Sequence, residues 1–305
     1  MGGFGNQLFQ IAFALEHYKS YEIDVESTFG SPRKNRFGKA EIWSYQIPSR
    51  LSEVNTSRNR VVNKCLNFTL IRFLREFESP YSKFANKLIL KVTEIATSIY
   101  FKRNVHLVLS SNVGYGLLTK RTATNRDLIV GYFQSPKWFS EETLIEMRKI
   151  EPIDTFREID KLVAEAHIQK PIIVHVRLGD YEQESGIGIL PFDYYNNGLT
   201  QLTAQLPDSE VWLFSNNIEK AKRIFSSWGG KEIRFIEDNW NSTSITFEAM
   251  RLGYGYLIAN STFSYWAALL SRNLNPPVIS PRPWFLNAPS PRNIVPNNWI
   301  VIDSK

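Results

Sequence analysis

Apolar positions follow the helical period through the first half of the chain and collect into short unbroken runs in the second. Leu8, Phe9, Ile11, Ala12, Ala14 and Leu15 come directly after the glycine-rich stretch Gly2 to Gln7, and predict a helix launched from a glycine loop. Residues 30–50 mix Gly, Pro, Ser and basic side chains and read as loop. Val61, Val62, Cys65, Leu66, Phe68 and Leu70, then Leu88, Ile89, Val92 and Ile95, predict two basic amphipathic helices within 59–102, with a break at Ser79-Pro80. Thr155 to Ala166 is a further helix candidate.

From Pro171 the period changes. Residues 171–176, 210–214, 233–236 and 254–259 are short β-rich runs, and the stretches Phe192 to Leu206, Ile218 to Trp228 and Thr246 to Arg251 between them read as helices. Strands alternating with helices give βαβ units and a parallel sheet, so the fold class is α/β. The change of texture divides the chain into an N-terminal domain, 1–168, and a C-terminal domain, 169–305, which suits a length of 305 residues. Leu252 to Ser271 is twenty residues without a charge, long enough to span a bilayer. Asn260, Ser261, Thr262 and Ser264 break that run at its centre, and it reads instead as buried strand, polar loop and helix. No basic and apolar leader follows Met1, so no signal peptide is expected.

Parallel sheets bind ligands beyond the carboxyl ends of their strands, and the polar clusters fall there. In His175-Val-Arg177-Leu-Gly179-Asp180-Tyr181 a strand carries His175 and Arg177 on one face, because its side-chain period is two. Arginine at that position suits a diphosphate; the alternative is an Arg177–Asp180 pair that only closes a turn. Ser215, Asn216 and Asn217 sit between a strand and a helix, where they either cap the helix or recognise a nucleotide base. Asn260, Ser261, Thr262 and Ser264 feed an amide and three hydroxyls into a helix start, more polar groups than a cap needs, which points to phosphate. The loop Gly2-Gly3-Phe4-Gly5-Asn6-Gln7 resembles a dinucleotide fingerprint only in part, since Leu8 occupies the third glycine position and no strand precedes it. Such a loop, with Asn6 and Gln7, suits close approach to a sugar.

Composition narrows the classes. Apolar residues at 43% and charged residues at 22% exclude wholesale disorder and fibrous repeats. The single Cys65 excludes an intrachain disulfide and a zinc site built on several thiolates, and suits a reducing compartment. There is no Walker A lysine motif and no Asp-x-Asp; Glu22-Ile-Asp24 and Glu158-Ile-Asp160 are the nearest approaches, so no metal site is expected. The net charge of +6 is uneven: residues 31–126 hold eighteen Lys or Arg against five Glu, a net +13, which leaves about −7 elsewhere. That segment is either a solvated helical surface or a surface for anionic partners. A noncatalytic basic binding protein would explain this charge but not the ordered strand-end clusters.

Four segments in this order resemble the α-1,2-fucosyltransferases: Gly2 to Gln10, Gly131-Tyr-Phe-Gln134 with Trp138-Phe139, His175 to Tyr181, and Ile258 to Trp266. Pro283-Trp-Phe285 and Asn298-Trp-Ile300 also fit. The resemblance implies a GT-B-like fold of two Rossmann-type domains facing a central cleft, with the donor GDP-fucose bound mainly by the second domain and the acceptor by the first. It implies inverting transfer, with no cofactor, no metal ion and no nucleic-acid partner, to a galactose-terminated oligosaccharide, in an α-1,2 or alternatively α-1,6 linkage. The resemblance implies that Arg177 grips the β-phosphate of the leaving GDP, that His175 and Asn217 lie near the nucleotide and Ser264 near the diphosphate, and that Asn6 lies near the reacting sugar. The residue pattern adds Asp180 as an expected catalytic partner of Arg177, and Gly3, Gly5, Gln7, Ser215, Asn260 and Ser261 as expected substrate contacts. Glu182 and Glu184 are candidate bases. Leu178 stands where many members have a second arginine, Asn216 and Asn217 where carboxylates are frequent, and Tyr265 where tryptophan is usual. Lipid-linked acceptors of surface glycans such as the O-antigen imply a cytoplasmic enzyme in peripheral contact with the anionic inner face of the membrane.

Overall fold

A computed structural model describes residues 2–26, 33–35, 39–54, 82–102, 104–109, 123–154, 157–179, 181, 186–237, 242–287 and 293–304. The first predicted basic helix, in the earlier part of 59–102, lies outside them. The chain forms two compact units, Met1–Trp43, Ile47–Ile145 and Arg292–Ile294 in one, and Ser44–Gln46, Glu146–Pro291 and Val295–Lys305 in the other.

The first unit is built on α1 (Phe4–His17), the helix expected after the glycine loop. Ten of its fourteen residues are buried, so it is a central rather than a surface helix. Phe13 stacks on Phe133 with ring centroids 3.8 Å apart and meets Trp138 edge-on at 5.4 Å. These aromatic contacts fasten α1 to the second sequence motif. The sequence pattern shows none of this unit's four short strands, nor Val278–Arg282 and Ile300–Asp303 in the second unit: β1 (Ile23–Glu26) pairs in parallel with β2 (Leu51–Val54), and β3 (His106–Leu109) with β4 (Asp127–Val130). The helix α2 (Ser82–Phe101) precedes β3, and α3 (Glu141–Arg148) follows β4.

The second unit begins with α4 (Arg157–Gln169) and continues β5 (Ile172–Val176), α5 (Phe192–Gln205), β6 (Val211–Ser215), α6 (Ile218–Ile224) and β7 (Ile233–Phe235). It then runs α7 (Thr243–Met250), β8 (Gly255–Leu257), α8 (Thr262–Leu269), β9 (Val278–Arg282) and β10 (Ile300–Asp303). Its six strands are all parallel, in the order β10-β9-β8-β5-β6-β7. Counted from β5, that is the Rossmann order 3-2-1-4-5-6. The α/β class expected from the sequence is thus observed. Leu252 to Ser271 also takes the expected form, β8, a polar turn and α8. No described helix is long and apolar enough to cross a membrane.

All five β5 residues are buried, as befits a strand covered on both faces. Ile172, Val174 and Val176 pack with Leu213, Leu257 and α5 residues Tyr194, Leu199 and Leu202. Each such fully buried side chain contributes about 1.5–3 kcal/mol of apolar burial. Gly198 lets α5 approach β8 closely, since a Cβ there would lie 2.5 Å from Leu257. The opposite face carries α7 and α8, tied to the rest by a buried ion cluster. Glu248 accepts from Arg251 at 2.9 Å and from Arg272 at 2.7 Å. Arg251 also donates to the carbonyls of Leu270 and Arg148. In α4, Glu165 pairs with Arg234 at 2.7 Å. These bonds hold residues 146–168 in the second unit, so the divide drawn at 168 from the change of texture falls inside it.

Candidate active site

The strand order reverses between β5 and β8, and the crevice beyond the carboxyl ends of these two strands is where an open α/β sheet takes its ligand. Two motifs meet there. His175 and Arg177 come off the end of β5 on the face away from Val174 and Val176, as the two-residue period predicts. The Arg177 guanidinium lies over the Tyr181 ring, 5.4 Å from its centroid. The Tyr181 hydroxyl donates to the Asn260 carbonyl at 3.3 Å, joining the β5 motif to the β8 motif. His175 is 4% exposed, its ring is 6.3 Å from that of Phe263 in α8, and its Nδ1 has no hydrogen-bond partner among the described residues. Burial, reinforced by the Arg177 charge, lowers its pKa to about 3, so the imidazole is neutral at physiological pH.

Asn216 locks the arginine's turn. Its Oδ1 accepts from the Leu178 N–H at 2.8 Å and its Nδ2 donates to the Leu178 carbonyl at 2.9 Å, in the manner of one more strand residue. Gly179 follows with φ +62, and a Cβ there would stand 2.9 Å from Asn216 Nδ2. Only glycine satisfies both the left-handed backbone and the space. Asn216 thus takes neither role expected of it, cap or base contact, and Tyr181, quoted only as the end of its motif, is the ring that joins the two motifs.

Several expected ligand contacts are instead engaged within the chain. Ser215 Oγ accepts from the Asn217 N–H at 3.1 Å, and Asn217 Oδ1 caps α6 through Lys220 N–H at 3.1 Å, which is the capping alternative. Asn260, 2% exposed, donates to the Gly188 carbonyl at 3.1 Å and so anchors the 186–190 stretch. Ser261 caps α8, and the fully buried Ser264 hydroxyl donates to the Ser261 carbonyl at 3.2 Å. These side chains brace the walls of the crevice. Asp180, Glu182 and Glu184 lie outside the described residues.

The glycine loop forms its own cluster in the first unit. Gly3 precedes α1 and Gly5 is buried within its first turn. Gln7 is engaged at both ends of its amide. Nε2 donates to the carbonyls of Gly2 and Arg33, and Oε1 accepts from Ile42 N–H at 2.9 Å. It therefore braces the loop rather than reaching for a sugar. Asn6 Oδ1 accepts from Gln134 Nε2 at 2.6 Å, which brings two motifs 128 residues apart into one hydrogen bond.

The family model described as Glycosyl transferase family 11 matches residues 2–301. The chain is 24% identical over 306 residues to the O-antigen biosynthesis glycosyltransferase WbnK of Escherichia coli, covering 93% of each. It is 25% identical over 324 residues to an alpha-1,2-colitosyltransferase of Escherichia coli, covering 99% of this chain and 97% of that one. Among solved structures, fucosyltransferase NodZ from Bradyrhizobium aligns at TM-score 0.46 and 12% identity over 88% of this chain and 90% of that one. With a match across nearly all its length, the chain belongs to glycosyl transferase family 11 and is a glycosyltransferase.

Proposed function

We propose that the enzyme moves L-fucose from GDP-fucose to the 2-hydroxyl of a galactoside, with inversion, in a surface glycan such as an O-antigen. The observation that carries this is the convergence of Arg177, Tyr181 and Asn260 at the reversal of a Rossmann-ordered sheet, the position suited to a nucleotide diphosphate. The names of the two relatives, an O-antigen glycosyltransferase and an alpha-1,2-colitosyltransferase, support the glycan class and the linkage.

In this reading the acceptor oxygen attacks the anomeric carbon from the face opposite GDP. The bond from that carbon to the β-phosphate oxygen breaks, its electron pair stays on the phosphate, and the acceptor's proton passes to solvent. Arg177 meets the growing diphosphate charge, and the neutral His175 beside it adds no competing positive charge. Asn6, oriented by Gln134, is the first-unit residue assigned to the reacting sugar. The test is incubation of purified protein with GDP-fucose, or with GDP-colitose, and a panel of galactosides, followed by linkage determination by NMR. An α-1,2-fucoside is expected. An α-1,6 product, retention of configuration, or transfer of colitose alone would each overturn the reading.

A further inference from the structure

Among the side chains described in α2, polar ones are buried. Its inward side carries Thr93, Glu94 and Thr97, which are 5%, 7% and 1% exposed. Glu94 Oε1 accepts from the Leu107 N–H at 3.0 Å, and Ser98 Oγ accepts from the Val105 N–H at 2.9 Å. The other edge of β3 pairs with β4, where His106 N–H donates to the Arg126 carbonyl. The polar side of α2 therefore serves as the second neighbour of β3, satisfying amides that the β4 side does not reach.

The consequence is that the four large apolar residues described in this helix face outward. Leu88, Val92, Ile95 and Ile99 are 59%, 57%, 52% and 73% exposed. Spaced four, three and four residues apart, they form one stripe along three turns. A contiguous apolar stripe rimmed by polar residues marks a docking surface. Beside it stand exposed Lys102 and Lys91, the latter 3.7 Å from the Glu94 carboxylate, and the surrounding sequence, 31–126, carries the net +13. We infer that this face of α2 docks on an anionic lipid surface, the stripe seated among the acyl chains and the cations at the headgroup phosphates. An amphipathic helix with lysines beside its apolar face lies in the plane of such a surface. A second copy of the chain is the poorer occupant, because it would bring two +13 segments together.

The test centrifuges the full chain with phosphatidylcholine vesicles and with vesicles also containing phosphatidylglycerol, with no sugar donor or acceptor present. Failure of the fucosyltransferase reading would thus leave the result intact. Partition onto the anionic vesicles is expected to be at least about tenfold stronger and to weaken with salt. The Val92→Ser/Ile99→Ser double variant is expected to lose about tenfold of that binding while keeping its circular dichroism and melting temperature. Equal or absent binding to the two vesicle types would overturn the inference, as would parental binding by the variant. A melting temperature lowered by the substitutions, with binding unchanged, would show that the protein itself covers the stripe. A dimer of the parent that the substitutions dissociate would show that a second copy does.

Discussion

Replacing Asn216 by alanine removes the two hydrogen bonds that bracket Leu178, at 2.8 and 2.9 Å, and leaves both polar groups of that residue's backbone without this partner. Leu178 is fully buried and Asn216, just beyond the carboxyl end of β6, is exposed. An unsatisfied buried backbone group costs about 1–3 kcal/mol, and water entering the vacated space recovers part of it, so about 2 kcal/mol is expected for the pair. In a unit of this size that lowers the melting temperature by about 4–8 °C. The same substitution frees the turn that aims Arg177, so kcat falls more than KM rises, as befits a group acting at the transition state. Asn216→Asp separates the two functions of the amide. Its carboxylate still accepts from Leu178 N–H but faces the Leu178 carbonyl without a proton to donate, so it should fall between the parent and the alanine variant. Thermal denaturation with steady-state kinetics on the three proteins measures both effects. An alanine variant that melts with the parent, or one that is destabilised but shows no change in kcat, would refute the reasoning.

Three further outcomes are expected. Arg177→Ala should retain the fold and lower turnover about 10²–10³-fold, measured as GDP release; near-parental turnover would remove Arg177 from the chemistry. Burial first, and the Arg177 charge second, depress the His175 pKa from 6.5 to about 3 in the folded state. The unfolded chain therefore takes up this proton first, and the group's contribution is complete above pH 6.5 and is lost as the pH falls towards 3. Its slope is up to about 1.4 kcal/mol per pH unit, and urea unfolding of His175→Gln should show that slope removed. Arg251→Met leaves the buried Glu248 carboxylate with Arg272 alone and should cost about 3–5 kcal/mol by urea denaturation; a loss below about 1 kcal/mol would show that the cluster is not structural.

The sequence by itself determined the middle of the second unit, though not its strands β9 and β10 nor the place of residues 146–168 in it. Residues 171–269 read correctly because fully buried parallel strands appear as unbroken apolar runs, while the helices between them keep a different period. It also placed His175 and Arg177 on one face and put polar clusters at the strand ends, since both follow from local period alone. The first unit's strands escaped because they are only four residues long, so that even the strict alternation of Ile23-Asp24-Val25-Glu26 is too short to stand out. Tertiary structure alone decided which polar residues brace the walls of the crevice. Gln7, Ser215, Asn217, Asn260, Ser261 and Ser264 have the residue types of ligand contacts, yet their partners are backbone groups within the chain. The bonds from Asn216 to Leu178 and from Gln134 to Asn6 span 38 and 128 residues, distances over which no sequence period carries information. The same holds for α2. Its pattern fixes an apolar stripe, but only the unpaired edge of β3, drawing Glu94 and Ser98 inward, decided that the stripe faces out.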